Sequence, residues 1–196
     1  MIWKTISLSF LAVCKQLLRF KAKAYSVMVS GAFARFGRNS VLVPPIRMEG
    51  EKRIAIGDCV YVGARSWIQT LPNCTEVIGL KIGNGTSIGS SSVISAAYSI
   101  IIEDNVLMAP NVCIVDHIHK YVDLQRPIKA QGIDKIDPVF IGRNTWIGQN
   151  VVILPGVSIG KNCVIGANSV VNCSIPDYSI AVGAPARVIK KIVEDR

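Results

Sequence analysis

Both histidines of this chain, His117 and His119, stand two residues apart in the segment VDHIHKY (115–121), directly after Asp116. An imidazole titrates near pH ~6.5, so at neutral pH it can take a proton from an attacking group and hand it on within one turnover. A histidine beside an aspartate is thus a pair from which general-base chemistry can be built. Asp116 could serve it in two ways, by orienting an imidazole or by contacting the second substrate. In an extended segment His119 would share a face with His117, which raises the question of a metal pair. Two ligands without a third Cys, His or carboxylate at suitable spacing make a poor zinc site. The expectation is no metal.

What must position these residues is a repeat. Ile141, Ile147, Ile153, Ile159, Ile165 and Val171 recur at a spacing of six, and Gly142, Gly148, Gly160 and Gly166 follow four of them. Upstream, Ile82, Ile88, Ile94 and Ile100 keep the period, Ile56, Val62 and Ile68 open it, and Ile102, Met108 and Ile114 run two residues out of phase. A period of six is neither helical nor simple alternation. It predicts an all-β solenoid in which each hexad is a short strand plus a corner, about 18 residues make one coil, and the aliphatics fill a narrow triangular interior. Glycines are expected at corners where a side chain would clash or where φ is positive. A β-sandwich would instead show turn signals at intervals of about eight to twelve residues with no fixed phase.

Breaks in the phase predict loops: Thr70 to Val77, a two-residue slip near Tyr98, and an extruded loop over 115–138 that carries both histidines. Loops on a rigid scaffold are where chemistry tends to sit. The division expected is an arm over 1–48, the β-helix over 49–174 and a closing segment over 175–196 with an extended stretch and a short basic helix.

Half of the 196 residues are hydrophobic and 18% charged, which suits one folded domain with a sizeable core and excludes a disordered chain. The net charge of +9 is uneven. Lys4, Lys15, Arg19, Lys21, Lys23, Arg35, Arg38 and Arg47 all precede the first acid, Glu49, so the first 48 residues carry +8 and the rest +1. Nucleic acid is therefore not expected as a partner of the body. Within the arm, Trp3, Ile6, Phe10, Val13, Leu17, Phe20, Ala24 and Val27, widened by Leu11 and Leu18, follow the spacing of an amphipathic helix whose polar face is wholly positive. Such a helix over residues 1–30 suits an anionic membrane surface, or packs on the β-helix base or a second copy. No apolar run is long enough to span a membrane. Residues 5–14 (TISLSFLAVC) run straight into Lys15 without a small-x-small cleavage site, so a cleaved signal is not expected. The six cysteines form no C-x-x-C pair and read as small buried apolar residues in a reducing, cytoplasmic setting.

The hexads, VDHIHKY (115–121), the block VFIGRNTWIGQNVVILPGVSIGKNCVIGANSVV (139–171) and the ending AVGAPARVIKKI (181–192) together resemble the hexapeptide-repeat acyltransferases. The branch most similar holds the galactoside and maltose O-acetyltransferases and the bacterial surface-polysaccharide O-acetyltransferases. The resemblance covers roughly residues 50–192 and implies a left-handed parallel β-helix and a homotrimer with active sites between subunits. It further implies transfer of acetyl from acetyl-CoA to a sugar hydroxyl, with His117 as catalytic base and Asp116, His119 and Trp146 on the acceptor side. For the coenzyme A donor it implies Gln149, Ala167, Asn172 and Cys173 along the pantetheine and Arg187 and Lys190 near the phosphates. Gln149 departs from the small residue usual after W-I-G. N-acetylation of a nucleotide-linked amino sugar would call for a nucleotide-sugar subdomain that the first 50 residues do not spell, and a non-catalytic scaffold remains the reading from another class. The glycines recur with the repeat and are not read as a phosphate loop.

Overall fold

The computed structural model describes residues 2–193, with the backbone alone at 2–6, 8 and 9. A 28-residue helix, Ile2–Val29, leads into three parallel sheets that wrap one apolar axis. Arg35–Phe36, Val41–Leu42 and Arg47–Glu49 form the first coil, one strand in each sheet, and five more coils follow in register, ending with Val170–Val171. The result is the solenoid that the hexads predict, the left-handed parallel β-helix that the family resemblance implies. Its first coil starts at Arg35, so the division expected between 48 and 49 falls inside a coil. Short polar-flanked strands such as Val41–Leu42 carry too little period to be seen without the neighbours they pair with.

The interior is a column of aliphatics. Ile56, Ile82, Ile102, Ile141 and Ile159 stack in one sheet, Val62, Ile88, Ile147 and Ile165 in the next, and Ile68, Ile94, Ile114, Ile153 and Val171 in the third, all at most 1% exposed. Each such side chain contributes about 1.5–3 kcal/mol by leaving water. A strand pair alone could not bury them; stacked coils can.

The corners divide the two tasks expected of glycine between two residue types. The hexad glycines give close approach: a Cβ on Gly148 would stand 2.6 Å from the Ala167 nitrogen, and one on Gly142 2.6 Å from the Gly160 carbonyl carbon. The positive-φ seats belong mainly to asparagine, at Asn105, Asn111, Asn144, Asn150, Asn162 and Asn168, because Asn tolerates the left-handed region and its amide can bond to the next coil. Asn111 donates to Asn150 at 3.1 Å and Asn150 to Asn168 at 2.9 Å, a ladder up one edge. Asn150→Ala is expected to cost about 1–2 kcal/mol and Asn150→Gly less, since only the alanine is strained at φ 58°. Equal shifts in the denaturant midpoint would contradict this.

Two further expectations need correction. Among the described residues the short C-terminal helix is replaced by a hairpin: Ser179–Gly183 pairs with Val164–Ile165 and turns back through Ala184 and Pro185 into Ala186–Lys191, antiparallel to it. A six-residue helix would be marginal in isolation, whereas a hairpin satisfies the last coil's backbone groups. Of the six cysteines, only Cys74 and Cys163 are buried; Cys14 and Cys113 are half-buried and Cys59 and Cys173 exposed. Cys59 occupies a positive-φ corner seat where the side chain faces out.

Candidate active site

The phase slip near Tyr98 and the long loop meet at one corner. From Ile94 to Ile102, its counterpart in the next sheet, the chain spends eight residues where Ile153 to Ile159 spends six, and the two extra residues turn Ala97, Tyr98 and Ser99 out of a regular corner. Their three N–H groups would lack partners. One coil further on, strand Cys113–Val115 ends at the same edge and delivers Asp116 beneath them. Its Oδ1 accepts from Ala97 N at 2.7 Å, and its Oδ2 accepts from Tyr98 N and Ser99 N at 2.8 Å each. The carboxylate is fully buried.

His117 completes the group. Its Nδ1 lies 2.9 Å from Asp116 Oδ1, and its side chain is 11% exposed. A carboxylate accepts and does not donate, so Nδ1 carries the hydrogen, and in the neutral ring Nε2 keeps the lone pair. Burial, the largest influence on Asp116, pushes its carboxyl pKa up. The hydrogen bond from His117 and the Ala97 and Tyr98 amides together outweigh it and hold the carboxyl below the usual range. The chain therefore keeps a charged acceptor behind the imidazole and leaves its outer nitrogen free of partners among the described residues.

Both Asp116 oxygens are buried and bonded inside the fold, a geometry that fits the orienting role for Asp116 rather than the acceptor-side one. Sequence reading missed the 97–99 turn as its partner, although the slip in the hexad count marked the place. It also missed Cys74, whose buried Sγ lies 3.3 Å from the Tyr98 carbonyl oxygen and ties the loop after Thr70 to the same corner. The extruded loop leaves after Val115 and rejoins at Val139, and its base is closed by Asp137 N donating to Asp116 O at 2.9 Å. Within it Ile118–His119 pairs with Ile133–Asp134, and His119 is exposed on this hairpin. Among the described residues no group of three or more His, Cys, Asp or Glu stands close enough to hold a metal ion.

The other candidates separate by edge. Asn172 and Cys173 follow strand Val170–Val171 at the corner of His117, two coils on, about 10 Å along the axis. Arg187 reaches the same edge from the closing hairpin, with its guanidinium 3.9 Å from Cys173 Sγ and 2.8 Å from the Ala186 carbonyl oxygen. Gln149 and Ala167 sit on the neighbouring edge, where the asparagine ladder runs, and are exposed. Trp146, half exposed, points out from a sheet between Leu107 and Val164. Lys190 lies in the outermost strand opposite Ile180. One chain thus gathers His117, Asn172, Cys173 and Arg187 on one edge and leaves Gln149 and Ala167 on another.

Two family models match the coils: bacterial transferase hexapeptide (six repeats) over residues 138–173, and the hexapeptide repeat of succinyl-transferase over 79–115. A protein of Mycobacterium tuberculosis assigned as an acetyltransferase is 39% identical over 176 residues, 89% of this chain but only 55% of its own length. An Escherichia coli protein assigned as a lipopolysaccharide-biosynthesis O-acetyl transferase is 36% identical over 135 residues, 61% of this chain and 69% of that one. Among solved structures, a hexapeptide-repeat acetyltransferase of Vibrio cholerae in complex with acetyl-CoA superposes with a TM-score of 0.60 at 27% identity, covering 89% of this chain and 79% of that one.

Proposed function

We propose that this chain, which belongs to the hexapeptide-repeat acyltransferase family, moves an acetyl group from acetyl-CoA to the hydroxyl of a saccharide. The observation that carries the reading is the Asp116–His117 pair, with its outward lone pair at the mouth of the extruded loop. The acceptor hydroxyl binds against His117 Nε2. Its proton passes to Nε2 as its oxygen attacks the thioester carbonyl carbon, the carbon–sulfur bond breaks, and the coenzyme A thiolate leaves and collects the proton from the imidazolium. A thiolate leaves readily enough that no acyl-enzyme is required. Asp116 holds the ring in one tautomer and stabilises the cation that forms between the two proton transfers.

The division of the donor residues between two edges supports a homotrimer in which the coenzyme lies between one subunit's His117 edge and the next subunit's Gln149 and Ala167 edge. Asn172 and Cys173 line the path beyond His117, and Trp146 and His119 flank the acceptor. Arg187 takes the coenzyme phosphates, because a guanidinium on an exposed edge with no carboxylate in reach among the described residues suits an anionic ligand. Lys190 adds charge to the same strand. Arg187→Ala is expected to raise KM for acetyl-CoA by about tenfold or more with little change in kcat, and to do so much less for the analogue lacking the 3′-phosphate. An unchanged KM would remove Arg187 from the donor site.

The acceptor's setting is surface polysaccharide assembly, O-antigen, capsule or exopolysaccharide, at the cytoplasmic face where acetyl-CoA is present. Likeness to the Escherichia coli relative supports this, as does the basic arm. No helix among the described residues is long and apolar enough to cross a membrane. Mass spectrometry of polysaccharide from cells with and without the gene tests it: loss of an acetyl ester supports the reading, and an unaltered polysaccharide contradicts it.

A further inference from the structure

The N-terminal helix docks on the β-helix with one face and leaves another uncovered. Ala22 and Ser26 are buried, Tyr25 and Val29 pack on the core, and Ser26 Oγ accepts from Leu42 N at 2.8 Å. At about 100° per residue these positions lie on the side of the helix opposite Phe10, Val13, Leu17, Phe20 and Val27. That second stripe is more than half exposed at every one of these residues. Trp3 and Ile6, which continue it in sequence, have side chains outside the described residues. Of the predicted stripe these five residues form an exposed face that is not what attaches the helix to the body, while Leu11 and Leu18 fall on the docking side.

Charge argues what covers it. Lys23 borders one flank of the stripe and Lys21 the other, Arg19 lies further round beyond Lys23, Lys15 falls on the docking side, and no acidic residue occurs in the first 48. Among the described residues none of these four forms a salt bridge, whereas Arg35, Arg38 and Arg47 in the first coil each face Asp58 or Glu49. An apolar stripe bordered by unpaired cations on long stems matches a lipid surface bearing negative headgroups: the stripe enters the acyl boundary and the cations reach the phosphates. A second copy of this chain would bring the same cations together without counter-charge. The exposed stripe and the unpaired cations point to one partner, and we propose that residues 7–27 bind an anionic bilayer surface in the plane of the interface, with the β-helix held beside it through Ala22 and Ser26. The proposal is independent of the acetyl-transfer chemistry.

Sedimentation of the full chain with vesicles tests it, using phosphatidylcholine alone and phosphatidylcholine with about one third phosphatidylglycerol. The protein is expected to pellet with the anionic vesicles and far less with neutral ones, and to be released by raised salt. Phe10→Ser with Leu17→Ser should lower partitioning at least about tenfold, and Arg19→Gln, Lys21→Gln and Lys23→Gln together should do so on anionic vesicles only. These positions are exposed, so the unfolding midpoint and transfer to a soluble acceptor should not move. Wild-type protein that stays in the supernatant with anionic vesicles would overturn the proposal. So would stripe variants that change the oligomeric mass while vesicle binding persists, which would assign the face to a neighbouring subunit.

Discussion

Replacing His117 by alanine is expected to lower kcat for acetyl transfer by about 10²–10⁴-fold, with KM for acetyl-CoA and the unfolding midpoint close to wild type. The size follows from what the ring does. Without it the attacking hydroxyl must lose its proton to water while its oxygen is already bonding to carbon, and only the positioning of the two substrates remains as catalysis. The ring is 11% exposed and bonds to Asp116 through one nitrogen, so its loss opens a small, wettable gap rather than a core cavity. His119→Ala separates the two histidines: it should raise KM for the acceptor and leave donor-only thioester hydrolysis unchanged. A wild-type rate in the His117 variant would end its assignment as base.

Asp116→Asn is expected to damage both activity and fold. Asn has one acceptor oxygen where Asp116 uses two, and its amide N–H₂ would be turned toward the His117 Nδ1 hydrogen or toward the backbone N–H groups of the 97–99 turn. Hydrogen bonds to a buried charge contribute about 1.5–3 kcal/mol each, and partial loss here should lower stability by about 2–4 kcal/mol. The imidazole, freed from its tautomer, should lose about 10–100-fold in kcat, as when an outer partner of a functional histidine is removed. The signature that separates this from general damage is acid dependence. Because the folded carboxyl lies below its ordinary value, its stabilisation is fully present above pH ~4 and is lost as pH falls through the folded value. The gap in denaturant midpoint between wild type and variant should therefore narrow on acidification below pH ~4. A gap that stays constant would mean that Asp116 is not ionised in the fold.

Much of this was legible in the sequence because the hexad is a strong period. Ile141 to Val171 give the strand phase residue by residue, and the break between Ile114 and Ile141 gives the loop that holds the histidines. The structure fixed what a period cannot carry. Asp116 and Ala97 to Ser99 are separated by 17–19 residues and meet only because one coil rises about 4.8 Å onto the next. Val188 and Ile189 in a basic tail fit a helix or a strand equally until Gly183 and Pro185 fold them back on Ile180 and Ala181. The first coil, 35–49, is hidden for the opposite reason: its strands are two or three residues long and become strands only by pairing with the coil above.

The most direct test of the central claim is acetyl transfer by the purified chain from labelled acetyl-CoA to free, nucleotide-linked and lipid-linked saccharides, with the product challenged by hydroxylamine. The account predicts label on a saccharide as a hydroxylamine-labile ester, formed by the wild type and lost with His117→Ala. Label that resists hydroxylamine as an amide, or an ester formed equally by both proteins, would contradict it.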